Sequence, residues 1–258
     1  MNNTTPLRIG FIFEGATDEE TIPVLVAKLL QRPVDSIPVH KQTGGFDDFR
    51  RCKQPDDSES APELARRWGK FKSYVIALLI KEVDAIIVLV DNDSNDPAYK
   101  RWCLLGRNLP FDGHRIQLID VSDMAEHCDQ VHLTLSIRER HIAQVRQPGT
   151  TPVIIGVAVE MLEAWLLAQP HVVESVLWEE IPPEKRAQCN HPEQITHPKN
   201  EMIRPHNGGG GLSQKQAREI GEHPDFFPEP IEAVCPSFAR FAQGVRTLIP
   251  SANSSLSD

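Results

Sequence analysis

Several features are scarce in this chain of 258 residues, and each scarcity excludes a class of protein. No apolar run approaches the roughly 18 residues that a membrane-crossing helix needs; the clearest run is residues 85–90 (AIIVLV). Residues 1–6 are polar and lack the basic-then-apolar pattern of an export signal. We therefore expect a soluble, cytoplasmic protein that does not associate with membranes.

Cysteine and positive charge are also scarce. The five cysteines are scattered and never spaced as C-x-x-C, which favours reduced thiols over a disulfide framework. The net charge of −9 would repel phosphates, which disfavours a passive nucleic-acid-binding module. A polyanionic substrate would have to be held by local basic groups or by bound metal cations. The composition is therefore compatible with a metal-dependent enzyme.

Apolar runs and helical patterns alternate along the first two thirds of the chain. Runs typical of buried strands occupy residues 7–13, 85–90, 115–121 and 153–157, with a weaker candidate at 34–39. Helical patterns occupy residues 62–82 and 160–168, and another helix is expected to start near Pro97. This alternation predicts an α/β fold with a mostly parallel sheet and helices on both faces.

The first strand leads into a helix with a recognisable start. Thr17 and Glu20 have the Thr-x-x-Glu spacing of a capping box. The apolar residues that follow recur at helical spacing: Ile22, Leu25, Val26 and Leu29.

The character of the chain changes beyond Pro170. Prolines and histidines crowd residues 181–206, and short helices are predicted at 213–221 and 237–248. The four glycines at 208–211 are not followed by Lys-Ser or Lys-Thr, so they do not form a P-loop. We predict a metal-binding α/β domain over 1–170, a small, mainly helical extension over 171–250 packed on the core, and a disordered tail over 251–258.

Acidic residues cluster where three predicted strands end. In chain order these residues are Glu14, Asp18, Asp91, Asp93, Glu160 and Glu163. Ligands of α/β sheets bind outside the carboxyl ends of strands, and carboxylate oxygens suit hard cations such as Mg²⁺. Unneutralised carboxylates converging at one edge would repel each other, so the pattern predicts a site for divalent metal.

Other interpretations of these residues stay open. A single Asp after a strand is commonly a turn former or helix cap, and Asp18 fits that role well. Asp91 could be the phosphoryl acceptor of a receiver-type protein, although an acidic pair would then be expected after the first strand. Zinc binding by Cys189 and nearby histidines is a weaker alternative, because their spacing matches no standard ligand set.

The order of these motifs resembles the TOPRIM fold of topoisomerases, primases and OLD-type nucleases. The resemblance lies in the Glu14-Gly15-x-Thr17-Asp18 turn, the Asp91-x-Asp93 strand end and the later Glu160 and Glu163. A narrower resemblance to a TOPRIM-like family, domain of unknown function 4276, lies in residues 156–168 (GVAVEMLEAWLLA), His191-Pro192-Glu193, Pro198-Lys199 and Pro236-Ser237-Phe238. It implies a TOPRIM-like (Rossmann-like) sheet.

The resemblance also implies roles for individual residues. Glu14, Asp91, Asp93 and Glu163 would be catalytic, and together with Asp18 and Glu160 they would hold one or two Mg²⁺ (or Mn²⁺) ions. Lys199 and Lys215 would contact substrate phosphates, because they match family positions. A tyrosine in a convincing nucleophile context is missing, which argues against a topoisomerase.

We therefore expect a Mg²⁺-dependent phosphodiester hydrolase, a nuclease that acts on DNA or RNA. Family-level analogy suggests defence against foreign nucleic acid, beside an ATPase partner protein. The alternative is a non-catalytic regulatory module that binds metal or nucleotide.

Overall fold

The computed structural model of the protein describes residues 7–13, 15–43, 74, 77–78, 80–92, 117–119, 151–159, 162–178, 180–195, 198 and 212–249. Within these ranges, five strands form one sheet in the order β2-β1-β3-β5-β4. The strands are β1 (Ile9–Phe13), β2 (Val39–Thr43), β3 (Ala85–Asn92), β4 (Gln117–Ile119) and β5 (Pro152–Val159). All pairings between them are parallel, which confirms the predicted sheet.

Helices follow the strands in the described part of the chain. They are α1 (Ala16–Leu29), α2 (Leu162–Leu167), α3 (Pro170–Leu177), α4 (Pro183–Arg186), α5 (Gln214–Glu222), α6 (Pro228–Val234) and α7 (Pro236–Arg246). Short 3₁₀ turns occupy Val34–Ser36, Ala187–Asn190 and Pro192–Gln194. Among the described residues, no helix has the length and apolar character required to cross a bilayer.

Apolar side chains cover both faces of the sheet. On one face, Phe11, Leu89 and Ile154 belong to a buried cluster that also contains side chains of α1 and α7. On the other face, the helical residue Leu78 lies so close to Gly10 that a Cβ there would sit 2.9 Å from its Cδ1. Helices therefore pack on both faces, as the alternation of strands and helices predicts.

Helix α5 runs alongside α1 in the same direction. Thr21 Oγ1, in the first half of α1, donates a hydrogen bond to the Ala217 carbonyl at 3.1 Å. Further along, Lys28 Nζ donates to the carbonyls of His223 at 3.2 Å and Phe226 at 2.5 Å. Later residues of α1 contact later residues of α5 and of the turn after it. The two helices are therefore parallel, and their amino termini lie at the same end of the molecule.

The C-terminal helices contribute to the same core as the sheet. Helix α7 lies over β5, where a Cβ on Gly156 would meet the ring of Phe241 at 2.8 Å. Trp165 of α2 packs against Phe238 and Phe241, with ring centroids 5.0 Å and 5.6 Å away. The division of the chain at residue 170 stays a prediction.

Two local predictions were wrong. Residues 34–39 do not form a strand: Val34–Ser36 is a 3₁₀ turn and β2 begins at Val39. The physical reason is Pro38, which has no N–H for the ladder, although its carbonyl accepts a hydrogen bond from the Ile9 N–H at 3.2 Å.

The capping box was the second error. Helix α1 begins two residues earlier than predicted, because its N-cap is Gly15 instead of Thr17. Asp18, three residues after this cap, accepts the Gly15 N–H. Glu20 instead lies 3.7 Å from Lys41 Nζ. The helix itself and its buried apolar residues are confirmed.

Other predictions have mixed outcomes. The helices predicted at 213–221 and 237–248 are confirmed as α5 and α7, and Ser213 caps α5 by accepting the Gln216 N–H. The helix expected near Pro97, the four-glycine segment and the tail 251–258 lie outside the described residues.

Candidate metal centre at the carboxyl edge of the sheet

The three strands that precede the acidic clusters are neighbours in the sheet. Strand β3 lies between β1 and β5, with Ile12 opposite Val88 on one side and Asn92 opposite Val159 on the other. Because all three strands are parallel, their carboxyl ends meet at one edge. The segments that carry the predicted ligands therefore start from adjacent positions.

The first cluster surrounds the turn from β1 into α1. Glu14 follows Phe13 in the chain and lies outside the described residues. Asp18 is only 3% exposed, and its Oδ2 accepts a hydrogen bond from the Gly15 N–H at 2.9 Å. A carboxylate in the first turn also interacts favourably with the helix dipole. Asp18 thus has an observed capping role at the edge where a metal role is predicted.

The second cluster belongs to β3. This strand extends two residues beyond the predicted 85–90, so that Asp91 lies within the ladder, opposite Ala158 of β5. Asp93 follows the last strand residue, Asn92, and lies outside the described residues, as does the side chain of Asp91. The backbone of the Asp91-x-Asp93 motif therefore starts at the carboxyl end of the central strand.

The third cluster lies between β5 and α2. Glu160 falls outside the described residues, whereas Glu163 is in the first turn of α2 and only 5% exposed. Burying a carboxylate is costly unless hydrogen bonds, a counter-charge or a cation compensate for lost hydration. Glu163 is therefore a carboxylate withdrawn from solvent, on the helix that directly follows the third strand.

The predicted phosphate contacts are Lys199, which lies outside the described residues, and Lys215. Lys215 is at the start of α5, at the same end of the molecule as the amino terminus of α1. Its side chain is 85% exposed and its Nζ lies 3.5 Å from Glu219 Oε1. Arg240 of α7 was not predicted; its Nη1 is buried and has no hydrogen-bond partner among the described residues.

Sequence reasoning missed a partly buried chain of hydrogen bonds that starts at Trp165, two residues after Glu163. Trp165 Nε1 donates to Ser237 Oγ at 2.7 Å. The Ser237 N–H donates to Glu193 Oε1 at 3.0 Å, and the Ser237 hydroxyl donates to the same oxygen. The available signal was that Glu193 and Ser237 lie in two motifs of the family resemblance, where each follows the proline that starts a helical segment.

The chemistry of the donor set fits a hard divalent cation. The predicted ligands are all carboxylates, which suit Mg²⁺ or Mn²⁺. No group of three potential ligands comes together among the described residues, a part of the chain that leaves out Glu14, Asp93 and Glu160. Burial raises the pKa of the Cys189 thiol to about 11, so without a bound cation it is protonated at neutral pH.

Comparisons with solved structures find two similar chains. The C-terminal region of the Burkholderia pseudomallei OLD protein is 13% identical, with a TM-score of 0.43 over 95% of this chain and 98% of that one. The C-terminal region of the Xanthomonas campestris pv. campestris OLD protein is 14% identical, with a TM-score of 0.33 over 93% and 95%. These likenesses are distant. Functionally curated proteins include no match.

The family comparison covers most of the chain. The family model described as "Domain of unknown function (DUF4276)" matches residues 13–246, from the last residue of β1 to the last residue of α7. The matched span includes all six predicted metal ligands and the Trp165, Ser237 and Glu193 hydrogen-bond chain. The protein belongs to this family.

Proposed function

We propose that the protein is a Mg²⁺-dependent phosphodiester hydrolase that acts on DNA or RNA. The observation that supports this most strongly is the adjacency of β1, β3 and β5 in a parallel sheet. That order brings together the strand ends from which the acidic segments continue. In this proposal Glu14, Asp91, Asp93 and Glu163 are the catalytic ligands, and Asp18 and Glu160 complete the metal site.

The carboxylates would have two tasks. They would bind one or two divalent cations and orient them toward the scissile phosphate. When bound, Mg²⁺ (or Mn²⁺) would supply Lewis-acid activation of water and of the phosphodiester. Without a cation the same carboxylates repel phosphate, so nucleic-acid binding should require metal. Lys199 and Lys215 would add direct phosphate contacts.

A non-catalytic module that binds metal or nucleotide is the second candidate, and one observation favours it. Several described cations are already paired with glutamates, as Lys215 is with Glu219, Arg218 with Glu222 and Arg246 with Glu232. Together with the net charge of −9, these pairs reduce the positive charge that the described C-terminal helices offer to phosphate. Exposed pairs of this kind are weak, however, and a substrate phosphate could compete for the cations.

A cleavage assay decides between the two candidates. Purified protein with Mn²⁺ should nick plasmid DNA or degrade RNA, and chelator should abolish both cleavage and nucleic-acid binding. Glu14→Gln and Asp91→Asn should each lower the cleavage rate roughly a thousandfold, because losing one ligand removes several kcal/mol of transition-state stabilisation.

The matched control is Glu82→Gln. Glu82 lies just before the amino end of β3, the end opposite Asp91, and its side chain is 57% exposed. This variant should cleave at the wild-type rate. Cleavage that survives Glu14→Gln would contradict the proposal, and metal-dependent binding of nucleic acid without cleavage would favour the non-catalytic module.

The biological setting is part of the proposal. We propose a cytoplasmic protein that acts in defence against foreign nucleic acid beside an ATPase partner. In the hydrolase role, nucleic acid is the proposed substrate.

A further inference from the structure

We propose that Glu193 and Ser237 are positioning residues that hold α2, and with it Glu163, at the carboxyl edge of the sheet. The inference rests on the proposed function, because it assigns these residues a role in shaping the proposed metal site. It starts from the short chain of hydrogen bonds that runs from Trp165 through Ser237 to Glu193.

Helix α2 needs an external anchor. It has only six residues, Leu162–Leu167, and follows the last residue of β5 closely. Helices this short are unstable by themselves and take their position from tertiary contacts. Trp165 supplies those contacts, because it is fully buried and packs against the rings of Phe238 and Phe241.

The hydrogen-bond chain adds direction to this packing. Apolar contacts are non-directional. They hold the Trp165 ring in the core but do not by themselves fix its orientation there. The indole N–H, in contrast, has one acceptor at 2.7 Å, the Ser237 hydroxyl oxygen. That hydrogen bond fixes the orientation of the ring and therefore the rotation of α2 about its axis.

Glu193 in turn fixes the Ser237 hydroxyl. Its Oε1 accepts both the hydroxyl proton and the Ser237 N–H, at 3.0 Å for the latter. With its proton committed to the carboxylate, the hydroxyl has only lone pairs to offer to Trp165. Ser237 is 1% exposed, and hydrogen bonds to a carboxylate are the stronger kind. The hydrogen bonds therefore all donate in one direction, from the indole to the hydroxyl and from the hydroxyl to the carboxylate.

The contacts that Trp165 makes lie on a different side of α2 from Glu163. Residues two apart on a helix do not share a face, so Trp165 faces α7 without using the side of α2 that carries Glu163. A small rotation of α2 would nonetheless displace the Glu163 carboxylate. Groups that orient metal ligands typically change metal affinity or activity by about 10–100-fold when replaced.

The test compares Mn²⁺ affinities by calorimetry. Ser237→Ala and Glu193→Ala should each weaken Mn²⁺ binding about tenfold, toward the lower end of the range for such groups. Glu163→Gln, which removes the ligand itself, should weaken it more. Titrations are made at a temperature at which thermal unfolding shows every variant to be folded.

The matched control is Glu174→Ala. Glu174 also accepts a backbone N–H, from Ile181 at 2.9 Å, and pairs with a side chain, Arg186, but it links α3 to α4 instead of α2 to α7. This variant loses a comparable carboxylate network and should keep the wild-type Mn²⁺ affinity. Equal weakening in the control would overturn the inference, since general destabilisation would then explain the effect.

A spectroscopic measurement tests the anchor directly. In spectra of ¹⁵N-tryptophan-labelled protein, the Trp165 indole resonance is assigned by its loss in Trp165→Phe. We expect this resonance to move on Ser237→Ala, on Glu193→Ala and on addition of Mg²⁺ to the wild type. If this resonance does not move when Mg²⁺ is added, the Trp165–Ser237–Glu193 hydrogen bonds are not coupled to the metal site and the inference is overturned.

The outcomes separate this inference from the proposed function. If Glu163→Gln weakens Mn²⁺ binding while Ser237→Ala and Glu193→Ala do not, the positioning role is wrong and the metal site stands. If Glu163→Gln leaves the affinity unchanged, the assignment of Glu163 fails and the positioning role fails with it.

Discussion

At the scale of single residues, Asp18 has an observed capping role and a proposed metal-binding role. It is buried in the first turn of α1, where its Oδ2 accepts the Gly15 N–H at 2.9 Å. The same turn directly follows Glu14, the first predicted metal ligand. A cap needs only an acceptor oxygen, whereas a metal site also needs the negative charge. The two roles can therefore be separated by substitution.

Asp18→Asn and Asp18→Ala should behave differently. The amide of Asn keeps an oxygen for the Gly15 N–H, so we expect little change in the unfolding temperature but several-fold weaker Mn²⁺ binding. Ala removes the acceptor as well and should lower the free energy of unfolding by about 1 kcal/mol. Calorimetric titration and thermal unfolding measure the two effects. Wild-type Mn²⁺ affinity in Asp18→Asn would leave Asp18 with the capping role alone.

At the scale of elements, the packing of α7 on the sheet depends on a missing side chain. A Cβ on Gly156 would lie 2.8 Å from both Leu89 Cδ1 and Phe241 Cδ2. The Phe241 ring has little room to withdraw, because it is stacked on Trp165 at 5.6 Å between centroids. Glycine in β5 thus allows α7 to approach the strand that leads into α2 and Glu163.

Gly156→Ala should lower the free energy of unfolding by about 1–3 kcal/mol, the usual cost of overfilling a packed core. Its matched control is Gly221→Ala in α5, where the nearest atom to an added Cβ is Val24 Cβ at 3.5 Å, an ordinary contact. Because alanine favours helix, the control should be neutral or more stable by up to about 1 kcal/mol. Urea unfolding of both variants checks this. Equal stability of the two would show that α7 can move away from β5.

At the scale of the whole molecule, one core joins segments from both ends of the chain. The buried cluster contains Phe11 of β1 and Leu25 of α1 together with Ile220, Phe238 and Val245 from the C-terminal helices. Helix α5 lies on α1, and α7 lies on β5. Residues beyond 170 therefore cover apolar surface that the sheet would otherwise expose.

A chain truncated after residue 170 should not fold cooperatively. It would lose the side chains that cover Trp165 and one face of the sheet, and exposed apolar surface of that size favours aggregation. Circular dichroism recorded during heating, for the truncated and the full chain, measures how cooperatively each unfolds. A sharp unfolding transition in the truncated protein would contradict this and support an independent domain over residues 1–170.

Much of the fold follows from short-range patterns. The run 85–90 is aliphatic without interruption, which is typical of a strand buried on both faces. Ser213 and Gln216 form a capping pair that marks the start of α5. The strand over 85–90 and the helix over 213–221 were both predicted from a few neighbouring residues, and both are confirmed. The two errors arose where neighbouring residues gave conflicting signals. Pro38 interrupts the apolar run 34–39, and the Gly15–Asp18 pair competes with the Thr17–Glu20 pair for the start of α1.

The sequence by itself determined the class of the fold and the types of residue at the strand ends. Apolar periodicity, proline positions and capping residues are local properties, and they specify strands, helices and acidic turns without long-range information. Only the tertiary structure decided that β3 lies between β1 and β5, and that Trp165 meets Ser237 and Glu193. Residues 165 and 237 are 72 positions apart in the chain. Contacts at that separation depend on the way in which the apolar faces of whole helices and of the sheet pack together, and no local pattern encodes that packing.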